Sequence, residues 1–162
     1  MSPERPSAEF THLDEHGAAR MVDVSAKDVS VRTATARGRV RVSAEVVQLL
    51  RDGALPKGDA LAVARIAGIM AAKRTPDLVP LCHPIALHGV EVDLVVHDEA
   101  VEVTATARTA DRTGVEMEAL TSVSVACLAL FDMVKAVDPA AVIDEICVVE
   151  KTGGKTGHWS RP

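Results

Sequence analysis

From Val29 to Thr35, and again from Arg39 to Val42, apolar and polar side chains alternate with the period of two expected of a half-buried strand. Gly38, between the two stretches, is placed at a bulge. Ser43 stands where an N-cap is needed for a short helix over Ala44 to Arg51, with Glu45 in its first turn and Gly53 just past its end. Gly58-Asp59 opens a second helix, from Ala60 to about Lys73, that is apolar nearly all round and is therefore expected to be central. Lys73-Arg74 put positive charge at its C-terminus, and Pro76 is expected to end it. Farther on, Val90, Val92, Leu94 and Val96 alternate with polar residues. After a turn near Asp98-Glu99, Val101, Val103 and Ala105 do the same, which is a hairpin signature. Thr113 and Glu116 have the spacing of a capping box at the head of a long helix reaching about Ala136. A last strand follows from about Val142 to Val149. Strand, helix, helix, hairpin, helix, strand predicts an α+β fold close to the ferredoxin-like pattern, an antiparallel sheet with helices packed on one face.

The chain of 162 residues, 48% hydrophobic, fits one domain, expected over residues 11–157, with a polar N-terminus (residues 1–10) expected to be mobile and a tail at 158–162. Only 2% of residues are aromatic, so the core must be built from Ala, Val, Leu and Ile, and oligomerisation would supply further burial. The same scarcity removes base-stacking platforms, and a net charge of −5 disfavours a grip on phosphate backbones, so nucleic acid is not an expected partner. Cys82, Cys127 and Cys147 lack metal-ligand spacing and read as reduced thiols. The N-terminus has no apolar core of a signal peptide, and no apolar run reaches membrane-spanning length, which makes a cytoplasmic location the expectation.

The candidate chemistry lies in three places. The stiff, Pro-rich loop after the second helix carries Leu81-Cys82-His83-Pro84. Its prolines bias Thr75, Val79 and His83 toward extended geometry, although a loop histidine is more often packed than catalytic. No base is paired locally with Cys82, so it does not read as a nucleophile. On the long helix, Asp132 and Lys135 share a face and reach each other, as a solvated pair or as working groups. Glu118 returns to within about 40° of that face but lies about 21 Å away along the axis, and it could equally serve the helix dipole. Finally, Lys151-Thr152-Gly153-Gly154-Lys155-Thr156-Gly157 is Gly-rich and basic in an acidic protein, which suggests an anionic ligand, though it lacks the order of a P-loop. Lys57, Lys73, Arg74 and Arg112 are further candidates for that pocket.

Read together, Thr11-His12-Leu13-Asp14, Met21-Val22-Asp23-Val24-Ser25, Lys57-Gly58-Asp59, Ala64-Arg65-Ile66-Ala67-Gly68-Ile69, the Leu81-Cys82-His83-Pro84 loop, Thr113-Gly114-Val115-Glu116-Met117-Glu118-Ala119-Leu120-Thr121, Asp132-Met133-Val134-Lys135-Ala136-Val137 and the Lys151–Gly157 stretch resemble the cyclic pyranopterin monophosphate synthases, the molybdenum cofactor biosynthesis protein C family. The resemblance implies a ferredoxin-like fold, a hexamer built as a trimer of dimers, and conversion of a cyclised dihydroguanosine triphosphate, made from GTP by a radical enzyme, into cyclic pyranopterin monophosphate and diphosphate. It implies Asp132, Lys135 and Lys151 as catalytic, and Leu81, Cys82, His83, Met117, Glu118, Lys57, Lys73, Arg112 and Lys155 as substrate-binding, with no cofactor and no protein-bound metal. Because Glu118 and Asp132 are far apart on one helix, it also implies that each site draws on two chains. Two other readings stay open: a silent binding module, and a metal-dependent phosphohydrolase using Asp23, Asp59 and His83, whose carboxylates lack ligand spacing.

Overall fold

The computed structural model describes residues 11–162; the N-terminal segment expected to be mobile, residues 1–10, lies outside the described residues. The elements are β1 (Ser30–Arg41), α1 (Ala44–Asp52), α2 (Ala60–Ala72), α3 (Thr75–Leu78), β2 (Leu87–Val96), β3 (Ala100–Asp111), α4 (Glu116–Val134), β4 (Val142–Thr152) and β5 (Trp159–Ser160). The strands form one sheet in the order β2-β3-β1-β4-β5, every neighbouring pair antiparallel. Helix α4 lies across β1, β3 and β4, and α2 packs on α4 and β2. This is the α+β, ferredoxin-like arrangement expected of the pattern.

The core is built from small aliphatic side chains. Ala34, Ala36 and Val40 of β1 and Val101, Val103, Ala105 and Ala107 of β3 meet Ala119, Val123, Ala126, Cys127 and Leu130 of α4. Gly38 continues the inward row of β1 under α4. A Cβ there would come within 2.6 Å of Val123 Cγ1 and 3.2 Å of Cys127 Sγ, so the helix can approach the strand only because position 38 has no side chain. The bulge expected at Gly38 falls on the opposite strand. Arg37 pairs with Cys147 and Arg39 with Asp144, which leaves the extra residue in β4, where Glu145 takes a φ of 54°. β1 is therefore continuous and keeps the phase set by Val40. As a result Val31, read as part of the same alternation, points outward.

The short helix is capped as expected: Ser43 Oγ accepts from Val46 N, and Gly53 closes it in the left-handed conformation. Asp59 likewise caps α2 through Ala62 N. Three local expectations are corrected. Pro76 does not leave Thr75 extended. It occupies the first turn of α3, where its missing N–H costs nothing, and Thr75 Oγ1 donates to the Ala72 carbonyl. The Thr113/Glu116 capping box does not form, because α4 begins only at Glu116 and the Glu116 carboxylate is engaged elsewhere. Helix α2 is central on one side only: Val63, Ile66 and Met70, spaced three and four apart, form an exposed apolar row. By length and composition α4 would suffice to cross a bilayer, but most of its apolar residues, Ala119, Val123, Ala126, Cys127, Leu130, Met133 and Val134 among them, are buried in the core, while Leu128 is exposed.

Candidate active site

Lys57, just before α2, meets Asp132 near the end of α4, and Gly68 in the middle of α2 faces Ser122 and Ala126. The two helices are therefore antiparallel. The layer has one end defined by the start of α2 and the finish of α4, and another defined by the finish of α2 and the start of α4. The candidate residues divide between these two ends.

At the first end, the Asp132 carboxylate lies between two ammonium groups, Lys135 Nζ at 2.7 Å and Lys57 Nζ at 3.1 Å, and Lys57 also donates to the Asp132 carbonyl at 2.8 Å. The hydrogen bond from Lys135, followed by that from Lys57, holds this carboxyl below the ordinary aspartate range. Asp132 is thus an ionised carboxylate over the whole neutral range, competent to accept a proton, with two lysines beside it able to give one.

The second end holds two adjoining clefts that share Lys27, Gly114 and Glu116. One, of about 610 Å³, is lined by Lys27, Arg32, Glu116 and the whole run Lys151 to Thr156, so Lys151 and Lys155 face the same space. Gly153 takes a φ of 89°, and a Cβ there would collide with the Val31 carbonyl at 2.2 Å; the loop folds against β1 because this position carries no side chain. Lys151 Nζ donates to Glu116 Oε1 at 2.8 Å, which is why Glu116 is not available as a cap. The other cleft, of about 650 Å³, is lined by Leu81, Cys82, His83 and Met117 together with Val22, Val24 and Thr113. His83 Nε2 sits 2.6 Å from the Val22 carbonyl, which can only accept, so Nε2 carries the proton.

Glu118 is buried behind this second cleft, 1% exposed. Its Oε1 accepts from Cys82 Sγ at 3.8 Å, while Oε2 has no hydrogen-bond partner among the described residues. Burial holds its carboxyl above the ordinary glutamate range. Burial, and then the neighbouring Glu118, push the Cys82 thiol up as well, which weighs against a nucleophilic role. The resemblance expected Glu118 to meet a substrate; here it touches the Cys82 strip that does line the cleft.

Not every candidate is gathered. Lys73 caps the C-terminus of α2 at the cleft end of the layer but lines neither cleft, and Arg74 pairs with Asp77 at 3.5 Å. Arg112 Nε donates to the Lys27 carbonyl at 2.9 Å, bracing the cleft wall. Asp23 accepts from Ser25 N and Asp59 from Ala62 N, and among the described residues no three His, Cys, Asp or Glu side chains gather as a metal site. Lys27, Arg32 and Glu116 line the clefts without having been singled out in the sequence for that place. The inward phase of Ala34, Ala36 and Val40 was the available signal for Arg32, since position 32 continues it.

A model described as the MoaC family matches residues 21–154. A protein of Streptomyces coelicolor named cyclic pyranopterin monophosphate synthase is 66% identical over 160 residues, covering 99% of this chain and 94% of that protein. A protein of the same name from Nocardioides sp. is 65% identical, covering 99% and 98%. One from Peptoclostridium acidaminophilum is 52% identical, covering 94% and 98%. The matched span takes in both ends of the helical layer, from the Val22 wall to Gly154, and on these grounds the chain belongs to the MoaC family.

Proposed function

We propose that this protein is a cyclic pyranopterin monophosphate synthase, a phosphorus–oxygen lyase of molybdenum cofactor biosynthesis. It converts 3′,8-cyclo-7,8-dihydroguanosine triphosphate into cyclic pyranopterin monophosphate with release of diphosphate. The observation that carries this reading is the Asp132 carboxylate held between Lys57 and Lys135, a proton-exchanging group of the kind the relatives' reaction requires. Opening and re-closing the nitrogen ring moves protons, for which an ionised Asp132 is the base and the adjoining ammonium groups are acids. Attack of a ribose-derived oxygen on the first phosphorus then expels diphosphate, whose growing charge Lys151 and Lys155, which line one cleft, would neutralise. The Cys82–His83 strip and Met117 would receive the pterin-forming part of the substrate.

Asp132 and Glu116, which lines both clefts, lie at opposite ends of α4, about 24 Å apart along its axis, so a complete site joins the Asp132 end of one subunit to the clefts of another. The exposed row Val63, Ile66 and Met70 offers surface for such association, in keeping with a hexamer made as a trimer of dimers from single-domain subunits of residues 11–157. No protein-bound metal or cofactor enters the scheme, and the enzyme works in the cytoplasm after the radical enzyme that cyclises GTP. The test is to supply the purified protein with GTP and that radical enzyme, oxidise the product and look for a fluorescent pterin bearing a cyclic phosphate. Wild type should form it. Asp132→Asn should stay folded and lose about 10²–10⁴-fold in turnover. A wild-type rate from the variant removes Asp132 from the chemistry, and no pterin from folded wild type favours a silent module.

A further inference from the structure

We propose that His158 to Arg161 form a clasp that closes the lysine-bearing loop over the 610 Å³ cleft lined by Lys151 and Lys155, with Arg161 as its positioning residue; this rests on the reading of that cleft as a triphosphate site. The loop leaves β4 at Thr152 and must return for Lys155 to stay over the cleft. The return is made by β5, which pairs Trp159 with Lys151 and Ser160 with Glu150. A strand of two residues holds weakly by itself, and Arg161 extends the attachment at three points. Its backbone N donates to the Val149 carbonyl at 2.8 Å, its Nε donates to the Val148 carbonyl at 2.7 Å, and its guanidinium carbon lies 5.8 Å from the centroid of the Trp159 ring. His158 Nε2 adds a contact to Glu150 Oε1 at 2.9 Å. Within the loop, Gly157 N donates to the Gly154 carbonyl at 3.3 Å.

The physical consequence is preorganisation. A loop of Gly and Thr with one end loose would lose conformational entropy each time it closed on an anion, and that loss would subtract from affinity. Fixed at both ends, the loop presents Lys155 and its backbone N–H groups with that cost already met by folding. Because Trp159 lies directly across from Lys151, the clasp also steadies the strand that carries the second lysine.

Trp159 is the single tryptophan of the sequence, so its emission reports on the clasp. The experiment titrates inorganic triphosphate into the full chain and into Arg161→Ala, following binding calorimetrically and through Trp159 emission at low and high salt. The clasp predicts about a tenfold weaker triphosphate affinity for Arg161→Ala. It predicts that the ratio to wild type persists at high salt, where a loss due merely to one fewer positive charge would be screened. In the complete assay, KM should rise by a like factor with kcat at saturation unchanged. Unchanged triphosphate affinity in Arg161→Ala, or a loss that vanishes at high salt, overturns the clasp while leaving the anion site standing. Failure of the wild type to bind triphosphate overturns both.

Discussion

Lys57 Nζ reaches Asp132 twice, donating to its backbone carbonyl at 2.8 Å and to its carboxylate at 3.1 Å, so the segment leading into α2 is pinned to the end of α4. One of these bonds positions the residue and the other helps to keep its carboxyl ionised, second to Lys135, which makes Lys57 more than a general attractor of phosphate. Lys135 approaches the same carboxylate from its own helix at 2.7 Å.

Removing Lys135 takes away the largest influence that lowers the Asp132 carboxyl. The acid limb of the kcat/KM profile should therefore move to higher pH in Lys135→Ala. The sign follows from the pairing: a depressed carboxyl keeps its proton off as pH falls, and without the lysine it protonates sooner. The stabilisation that comes from this pairing is likewise present above the ordinary aspartate pKa and lost as pH falls. A pH–rate series on both proteins decides it, and an unmoved limb would show that Asp132 does not govern that limb.

Glu118 behaves in the opposite sense. Its folded-state carboxyl is raised by burial, so its contribution is fully present below the ordinary glutamate pKa and is lost as pH rises through the folded value. Glu118→Gln, which cannot ionise and can still accept from Cys82, should unfold at a higher temperature than wild type near pH 8, with the gap closing toward about pH 4. Thermal unfolding across that range is the check. A gap independent of pH would mean that folding does not shift the ionisation of Glu118.

Gly38→Ala should cost about 1–3 kcal/mol of stability, because the added methyl overlaps Val123 and Cys127 under a helix held by the rest of the core. Chemical denaturation measures it. Since position 38 is remote from both candidate ends, kcat per folded molecule should be unaffected.

If sites are shared between chains, two dead variants should complement. Asp132→Asn mixed with Lys151→Ala and reassembled at equal amounts should regain about a quarter of wild-type activity, because a mixed two-fold pair has one intact site and one doubly defective site. Mixtures that stay as inactive as either parent would place Asp132 and Lys151 of one subunit in the same site.

Much of the fold was legible. Period-two alternation located the hairpin, and Ser43 with Gly53, and Asp59, marked helix ends that the structure retains. The errors occurred where a local signal competed with a partner distant in sequence. Glu116 has capping-box spacing but meets Lys151, a partner 35 positions farther along the chain. The irregularity near Gly38 was visible, but whether the extra residue lies in β1 or β4 depends on pairing register, which neither strand specifies alone. Arg32 could have been placed inward by extending the Ala34–Ala36–Val40 row, yet Val31 beside it suggested the opposite phase.

The sequence by itself determined the order of the seven larger elements, without α3 or β5, and the aromatic-poor core and the families of candidate groups, since these depend on periodicity, capping and motif, which are properties of neighbours along the chain. Tertiary structure alone decided that Lys57 and Lys135 share Asp132, that Glu118 is buried behind Cys82 instead of facing open space, and that the candidates divide between two ends of one helical layer. Those outcomes depend on burial and on contacts between residues far apart in sequence, and burial and contact are set only once α2 and α4 pack antiparallel on the sheet.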